Sequence, residues 1–176
     1  MLQVKEGSQA AFEVLVEKYQ GPLTNLIYHL VLDRAEAEEL AQEVFLRAYR
    51  AASRYRAEAK FSTWLYRIAV NLCLNHLKGR RAGQRLPLED GFAASEAERP
   101  DLQLERRELA RLVERALDAL PERQRTAVVL HRFEGLSYRE IAQAMDCSVE
   151  AVEALLGRAK ASLGRELARY RGARDT

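Results

Sequence analysis

The sequence has little of what builds sheets, loop-rich scaffolds or disordered segments. Its 176 residues include four prolines and nine glycines, against 48% hydrophobic residues. Because turn-forming residues are sparse and Ala, Leu, Glu and Arg are abundant, the composition favours helices and argues against disorder or an all-β fold. We predict an all-α protein with essentially no sheet.

Cysteines and long apolar runs are also scarce. Cys73 and Cys147 lie far apart in a chain that shows no apolar signal core at its N-terminus, so we expect reduced thiols, no structural disulfide and a cytoplasmic location. No apolar run approaches the roughly 20 residues that a membrane helix needs. We therefore expect a soluble protein without membrane insertion.

Signals for catalysis are weak. The three histidines are isolated, and Cys73 with His76 supplies two ligands, which is too few for a zinc site. A di-metal carboxylate site would need Glu-x-x-His pairs on facing helices, and the sequence has none. There is no phosphate-binding glycine loop, nucleophile elbow or metalloprotease motif. We expect no metal, no cofactor and no enzymatic activity.

Charge and turn residues divide the chain. The formal net charge is +2, but residues 82–108 hold four basic and seven acidic side chains, and glycine and proline crowd into the same stretch. Both flanking blocks are basic. We predict one small helical domain at 1–81, a flexible acidic linker at 82–108 and a second helical domain at 109–176.

Periodicity predicts a four-helix bundle in the first block. Ser8 can cap a helix that Gly21-Pro22 stops, and a second helix follows. Asp33 and Glu36 have the spacing of a capping box, and a fourth helix begins near Trp64. In the second block, a capping box at 137–140, a tight turn at 146–148 and a longer helix form a helix-turn-helix pattern.

The helix-turn-helix pattern favours DNA binding over an ordinary pair of core helices, because the major groove admits such a helix. A basic tail with Arg158 and Lys160 supports this interpretation. Glu150 and Glu153 oppose it, since they repel phosphate and could read DNA only by accepting from a cytosine amino group.

Two further charged segments stand out. Between Arg54 and Arg81, seven basic residues face the single acid Glu58 and alternate with aromatic residues, which suits single-stranded or locally melted nucleic acid. The alternative is a bundle helix with core aromatics and solvated cations. Between Asp33 and Glu43, five acids accompany Arg34 alone, which suits a basic protein partner or is simply a solvated helix face.

Five segments carry a resemblance to a known family. They are AFEVLV at 11–16, AEELAQEVFLRAY at 37–49, FSTWLYRIAVN at 61–71, LPER at 120–123 and EGLSYREIA at 134–142. In order and spacing, over nearly the whole chain, they resemble the group IV, extracytoplasmic-function (ECF) sigma factors of the sigma-70 family. The resemblance implies a sigma-2 bundle, a linker and a sigma-4 helix-turn-helix domain that together direct core RNA polymerase to promoters and melt the DNA.

The resemblance also implies roles for particular residues. Those implied to recognise and open the minus-10 element are Arg54, Tyr55, Arg56, Lys60, Phe61, Ser62, Thr63, Arg67, Asn71, Arg80 and Arg81. Those implied to read the minus-35 element are Arg139, Ser148, Glu150, Ala151, Glu153, Ala154, Arg158 and Lys160. Those implied to dock on the polymerase are Glu36, Glu39, Leu40, Gln42 and Glu43.

The implied partners are promoter DNA, the β′ clamp helices and β flap of core RNA polymerase, and an anti-sigma factor of the kind that commonly restrains family members. The recognition helix departs from the family, whose usual opening is Gly-Thr-Val with a basic and a small residue, and Ala57 replaces the glycine usual in the minus-10 loop. The rival interpretations are a stand-alone helix-turn-helix regulator, which would bind duplex DNA without polymerase, and a helical enzyme using the glutamate cluster.

Overall fold

The computed structural model describes the backbone of residues 1–82 and 100–174 and the side chains of 1–80 and 108–166. Within these ranges the chain is helical, with no strand. The prediction of an all-α fold is confirmed. The α-helices are α1 (Leu2–Lys5), α2 (Gln9–Val31), α3 (Arg34–Arg50), α4 (Phe61–Ala82), α5 (Pro100–Asp118), α6 (Glu122–Arg132), α7 (Tyr138–Met145) and α8 (Val149–Arg174), and a 3-10 turn spans Ala52–Arg54.

The predicted break at Gly21-Pro22 is wrong. Helix α2 continues through Pro22 to Val31, so two of the four predicted helices are one. Proline removes one backbone donor and crowds the preceding turn, yet Gly21 and Pro22 lie on the exposed side of the helix. Because the opposite side buries Leu23, Leu26 and Ile27 completely, packing outweighs the local preference for a stop.

The predicted N-cap side chains are present, but the predicted capping box at Asp33 and Glu36 is only half formed, because the Glu36 carboxylate contacts His76 and Arg80 instead. Ser8 Oγ accepts from the Ala11 amide at 3.2 Å and Asp33 Oδ1 from the Glu36 amide at 2.9 Å. At the start of α7 the Ser137–Glu140 capping box is complete in both directions. These side chains satisfy backbone donors that a helix N-terminus leaves without partners, which fixes where α2, α3 and α7 begin.

The predicted linker and helix α5 overlap. Helix α5 begins at Pro100, so the last part of the predicted flexible segment at 82–108 is helical, whereas residues 83–99 lie outside the described residues. Proline suits this position because the first turn of a helix leaves its amides unpaired. The predicted domain boundaries stay predictions. We call residues 1–82 the first unit and residues 100–174 the second unit.

One hydrophobic core joins the two units. Helix α4 packs against α7, and α2 packs against α6. Leu65 of α4 and Ile141 of α7 are completely buried in the same core cluster, as is Leu130 of α6. In the part of the chain that the structure describes, no helix is both long and apolar enough to cross a membrane.

A buried arginine connects the second unit to the end of α2. Arg125 is 7% exposed, and its Nη1 donates to the Leu30 carbonyl at 2.9 Å. Its Nη2 lies 3.5 Å from Asp118 Oδ1. The contact with the Leu30 carbonyl is buried, so removing the guanidinium would leave a buried acceptor without this partner, which costs more than losing a surface pair.

We expect Arg125→Ala to lower the free energy of unfolding by about 2 kcal/mol, the cost typical of losing a buried charged hydrogen bond. Equilibrium denaturation with urea measures this change. Arg123→Ala is the matched control, because Arg123 lies exposed on the same helix. Equal effects of the two substitutions would contradict the role given to the Arg125 contacts.

Candidate nucleic-acid and protein interfaces

The helix-turn-helix is formed by α7, the turn at 146–148 and α8. Asp146 has a left-handed backbone, with φ of 50°, and the Cys147 amide donates to the Ala142 carbonyl at 3.0 Å. Ser148 Oγ accepts from the Ala151 amide at 3.2 Å and so caps α8. Val152 is completely buried, which turns the opposite face of α8 outward. This arrangement leaves one helix face free to enter a groove.

The predicted minus-35 residues lie on or beside that free face. Ala151 is half-buried. The exposed members are Arg139, Ser148, Glu150, Glu153, Ala154, Arg158 and Lys160. Hydrogen bonds from its own helix N-terminus and from Ser148 lower the pKa of Glu150, so this carboxyl is ionised at neutral pH and repels phosphate.

The predicted minus-10 segment begins with an aromatic cluster. The Tyr55 ring centroid lies 5.0 Å from that of Trp64 and 6.2 Å from that of Phe61. Tyr55 is 5% exposed and Thr63 is 3% exposed. Because both side chains pack inward, the expectation that they offer surface to a base is not met in this arrangement, and Tyr55 instead supports the loop.

The other predicted minus-10 residues divide by exposure. Half-buried are Phe61, Ser62 and Arg80, and the side chain of Arg81 lies outside the described residues. Exposed are Arg54, Arg56, Lys60, Arg67 and Asn71. Arg80 Nη1 donates to Glu36 Oε2 at 2.9 Å, so this cation is already partnered inside the first unit.

Two of the exposed cations are paired with acids of the second unit. Lys60 Nζ lies 2.8 Å from Glu140 Oε1, and Arg67 Nη2 donates to Asp146 Oδ1 at 3.2 Å. Both acids belong to the helix-turn-helix. The sequence did not indicate these pairs, because nothing in a linear pattern places α7 against α4. Their geometry shows that one face of α4 is covered.

The contacts at the start of α4 with the second unit, which we call the junction, shift the pKa values of two groups. The Lys60 ammonium, and then the backbone and hydroxyl of Ser137, hold the pKa of Glu140 down at about 2. Beside it, the Tyr66 hydroxyl donates to Glu134 Oε2 at 2.7 Å. Burial and that carboxylate raise the pKa of Tyr66, so it remains a neutral donor.

Helix α3 presents a smaller acidic face than predicted. Glu39 and Gln42 are exposed, and the Glu43 carboxylate accepts from Arg47 Nε at 2.7 Å. Leu40 is buried, and Glu36 Oε2 lies 3.0 Å from His76 Nε2 on α4. Glu36 and Leu40 therefore hold α3 in the bundle instead of extending the free acidic surface.

A groove that the sequence reasoning did not identify runs beside that face, between α2 and α3. It combines apolar and acidic lining, and Leu46 at its edge is 51% exposed. The sequence did not show that α2 leaves part of the apolar side of α3 open. The lining of the groove includes Phe12, Val16, Glu17, Glu38, Phe45 and Leu46.

The described residues offer little for metal or thiol chemistry. In these ranges no cluster of three or more His, Cys, Asp and Glu side chains could hold a metal ion. Burial raises the pKa of the Cys73 thiol to about 12, so it is not a ready nucleophile. The arrangement as a whole combines a helix-turn-helix that has one outward face with a separate acidic face on α3.

Comparison with known proteins identifies the family. Family models described as Sigma-70 region 2 and Sigma-70, region 4 match residues 15–83 and 110–163. The chain is 39% identical over 175 residues to the RNA polymerase sigma-H factor of Pseudomonas aeruginosa, covering 93% of this chain and 90% of that protein. It is 38% identical over 169 residues to the ECF RNA polymerase sigma-E factor of Escherichia coli K12, covering 91% and 88%.

Two solved structures have the same fold. CnrH in complex with the cytosolic domain of CnrY aligns with a TM-score of 0.72 at 27% identity, covering 95% of this chain and 94% of that one. The sigma factor RpoE in complex with the anti-sigma factor NepR from Bartonella quintana aligns with a TM-score of 0.72 at 20% identity, covering 90% and 97%. The second likeness bears on the fold alone.

The chain belongs to the extracytoplasmic-function sigma factors of the sigma-70 family. It is therefore a non-enzymatic subunit that binds core RNA polymerase and directs transcription initiation at promoters. A stand-alone regulator is not favoured, because both family regions match in order and the matches span most of the chain.

The pairing of Lys60 with Glu140 predicts a titration. Glu140 should titrate with a pKa near 2, so its pairing is present above the ordinary carboxyl pKa and is lost as pH falls toward 2. In Lys60→Ala its pKa should rise but stay below the ordinary value, since Ser137 still donates. Side-chain carbonyl NMR measures both. Glu150 is the control, because its pKa depends on Ser148 and not on Lys60; an unchanged Glu140 would contradict the contact.

Proposed function

We propose that α3 and the groove beside it dock this sigma factor onto core polymerase. The observation that carries the proposal is the exposed Glu39 carboxylate and the exposed Gln42 amide next to an apolar groove with the further acids Glu17 and Glu38. Such a surface suits a partner helix with basic and apolar residues, and it would repel DNA. The β′ clamp helices are the partner that the family implies, and the β flap would meet the second unit.

We expect Glu39→Lys to weaken binding to core polymerase and to reduce promoter-specific transcripts in parallel, while helix content stays unchanged. Reversing an exposed charge affects a complementary partner more than the fold. The measurement is core affinity by fluorescence anisotropy alongside a run-off transcription assay. Glu108→Lys is the control, because Glu108 is exposed on α5 away from this face. Unchanged core affinity for Glu39→Lys would reject the docking role.

The promoter-reading roles follow from exposure. Arg54, Arg56, Lys60 and Phe61 would act on the minus-10 element, with cations following the phosphates and an aromatic edge available to an unstacked base. On α8, the forked guanidinium of Arg158 is suited to pair with the edge of a guanine base, and Lys160 is suited to contact a phosphate. The other exposed minus-35 residues keep the roles that the resemblance implies.

We further propose that promoter DNA competes with the second unit for α4. The carboxylates of Glu140 and Asp146 compete with phosphate for Lys60 and Arg67, because each already neutralises one cation and repels a second anion beside it. The two carboxylates thus stand where phosphates would stand. Opening the junction would free α4 and α7 for DNA together.

We expect the double variant Glu140→Gln, Asp146→Asn to raise the DNA affinity of the free protein about tenfold, since two like-charged competitors are removed. Glutamine can still complete the capping box, and asparagine tolerates the left-handed backbone of position 146. Binding is measured on a minus-10 single strand at several salt concentrations. The double variant Glu13→Gln, Glu108→Gln, which neutralises two exposed carboxylates elsewhere, controls for net charge, and an equal gain in that variant would argue against the competition.

Two partner and location assignments complete the proposal. An anti-sigma factor is a further partner that the family implies, and the structural neighbour CnrH, at 27% identity, was solved in complex with the cytosolic domain of another protein, CnrY. The protein would act in the cytoplasm, where core polymerase and promoter DNA are present.

A further inference from the structure

Helix α1 is short but firmly placed. Val4 is 5% exposed although its neighbours Leu2, Gln3 and Lys5 are exposed. The helix packs against the 3-10 turn that precedes the minus-10 loop. Lys5 Nζ donates to the Tyr55 carbonyl at 3.2 Å, which is a contact across 50 residues of sequence.

A tight turn returns α1 onto the start of α2. Gly7 has φ of 96°, a conformation that L side chains rarely adopt, and its amide donates to the Val4 carbonyl at 3.0 Å. The Ser8 amide donates to the Gln3 carbonyl at 2.9 Å, and the Ser8 side chain caps α2. Because α2 is a long core helix, α1 is anchored to the rigid part of the first unit.

Tyr55 is held from two sides. Its carbonyl accepts from Lys5, while its ring packs on Trp64 and Phe61. Phe61 in turn contacts Tyr19 of α2, with ring centroids 5.1 Å apart. Residues 56–60 are all exposed, so they form a loop whose two ends are held by the packing of Tyr55 and Phe61.

We propose that Val4 and Lys5 are positioning residues for the minus-10 loop. Lys5 acts through its hydrogen bond to the Tyr55 carbonyl, and Val4 acts through the packing of α1 on the 3-10 turn just before Tyr55. Together they fix the point where the loop leaves the bundle, so that Arg56 and Lys60 are presented in one arrangement before DNA arrives. Ordering a loop in advance removes a conformational cost that binding would otherwise carry. This inference rests on the proposed role of the loop in opening the minus-10 element.

A direct phosphate contact by Lys5 is the competing explanation, and salt separates the two. Each phosphate neutralised by a cation contributes about −0.9 to the slope of log affinity against log salt on duplex DNA. Substituting a residue that only positions the loop removes no phosphate contact, so it leaves this slope unchanged. Substituting Val4 removes packing but no charge. The Val4 and Lys5 variants should therefore show the same slower opening and the same salt slope only if both residues position the loop.

The test uses holoenzyme formed with Val4→Ser or Lys5→Met. We expect core affinity and the salt slope to stay unchanged, and open-complex formation on duplex promoter to slow about three- to tenfold, the range that losing one modest contact gives. A premelted promoter should restore the rate. Leu2→Ser is the matched control, because Leu2 is 55% exposed on the same helix. Lys5→Arg should keep the wild-type rate.

Phe61→Ala, run in parallel, separates this proposal from the proposed function. If Phe61→Ala slows opening while Val4→Ser does not, the positioning role is overturned and the loop's role stands. If neither variant slows opening, the minus-10 assignment itself fails. A lower salt slope in Lys5→Met, with a normal opening rate in Val4→Ser, would make Lys5 a phosphate ligand. A slower opening rate that a premelted promoter does not restore would mean general damage to the protein. Either result overturns the proposal.

Discussion

The apolar core shared by the two units brings acids of the helix-turn-helix against cations at the start of α4, and the rest of the arrangement depends on this packing. Lys60 and Arg67 lie where promoter phosphate is expected, and in this arrangement Glu140 and Asp146 occupy them. The same two acids belong to the helix-turn-helix that is expected to read the other promoter element. The closed arrangement therefore pairs two of the predicted minus-10 cations with acids, while the acidic face of α3 and the outer face of α8 stay open.

The exposed pairs do not themselves hold the units together. The Lys60 side chain is 75% exposed and that of Arg67 is 51% exposed, and surface pairs of this kind contribute about 0–1 kcal/mol each. The closed arrangement depends instead on buried groups: Leu65 against Ile141, the Arg125 contact with α2, and the Tyr66 hydrogen bond to Glu134. The apolar contact supplies affinity between the units, and the charged pairs decide which other anions compete.

Local chemistry made most of the fold predictable. The caps at Ser8, Asp33 and Ser137 and the apolar periodicity of α3 and α7 are contacts within a few residues, so the sequence contains them directly. The stop at Gly21-Pro22 failed because core packing on one face of α2 outweighs a local preference. Tyr55 and Glu36 were placed on the surface because no linear pattern shows what packs over them.

This difference between local and distant contacts also explains why the DNA-reading residues were predicted but their pairing with acids of the second unit was not. Residue type and spacing identify a cation such as Lys60 as suited to phosphate, yet its partner Glu140 lies 80 positions away and is placed there by the shared core. Because that core is apolar, added salt alone would loosen the charged pairs without separating the units. Opening has to be driven by a partner that binds the separated form more tightly than the closed one, and core polymerase, for which we propose docking on the uncovered α3, is suited to that role.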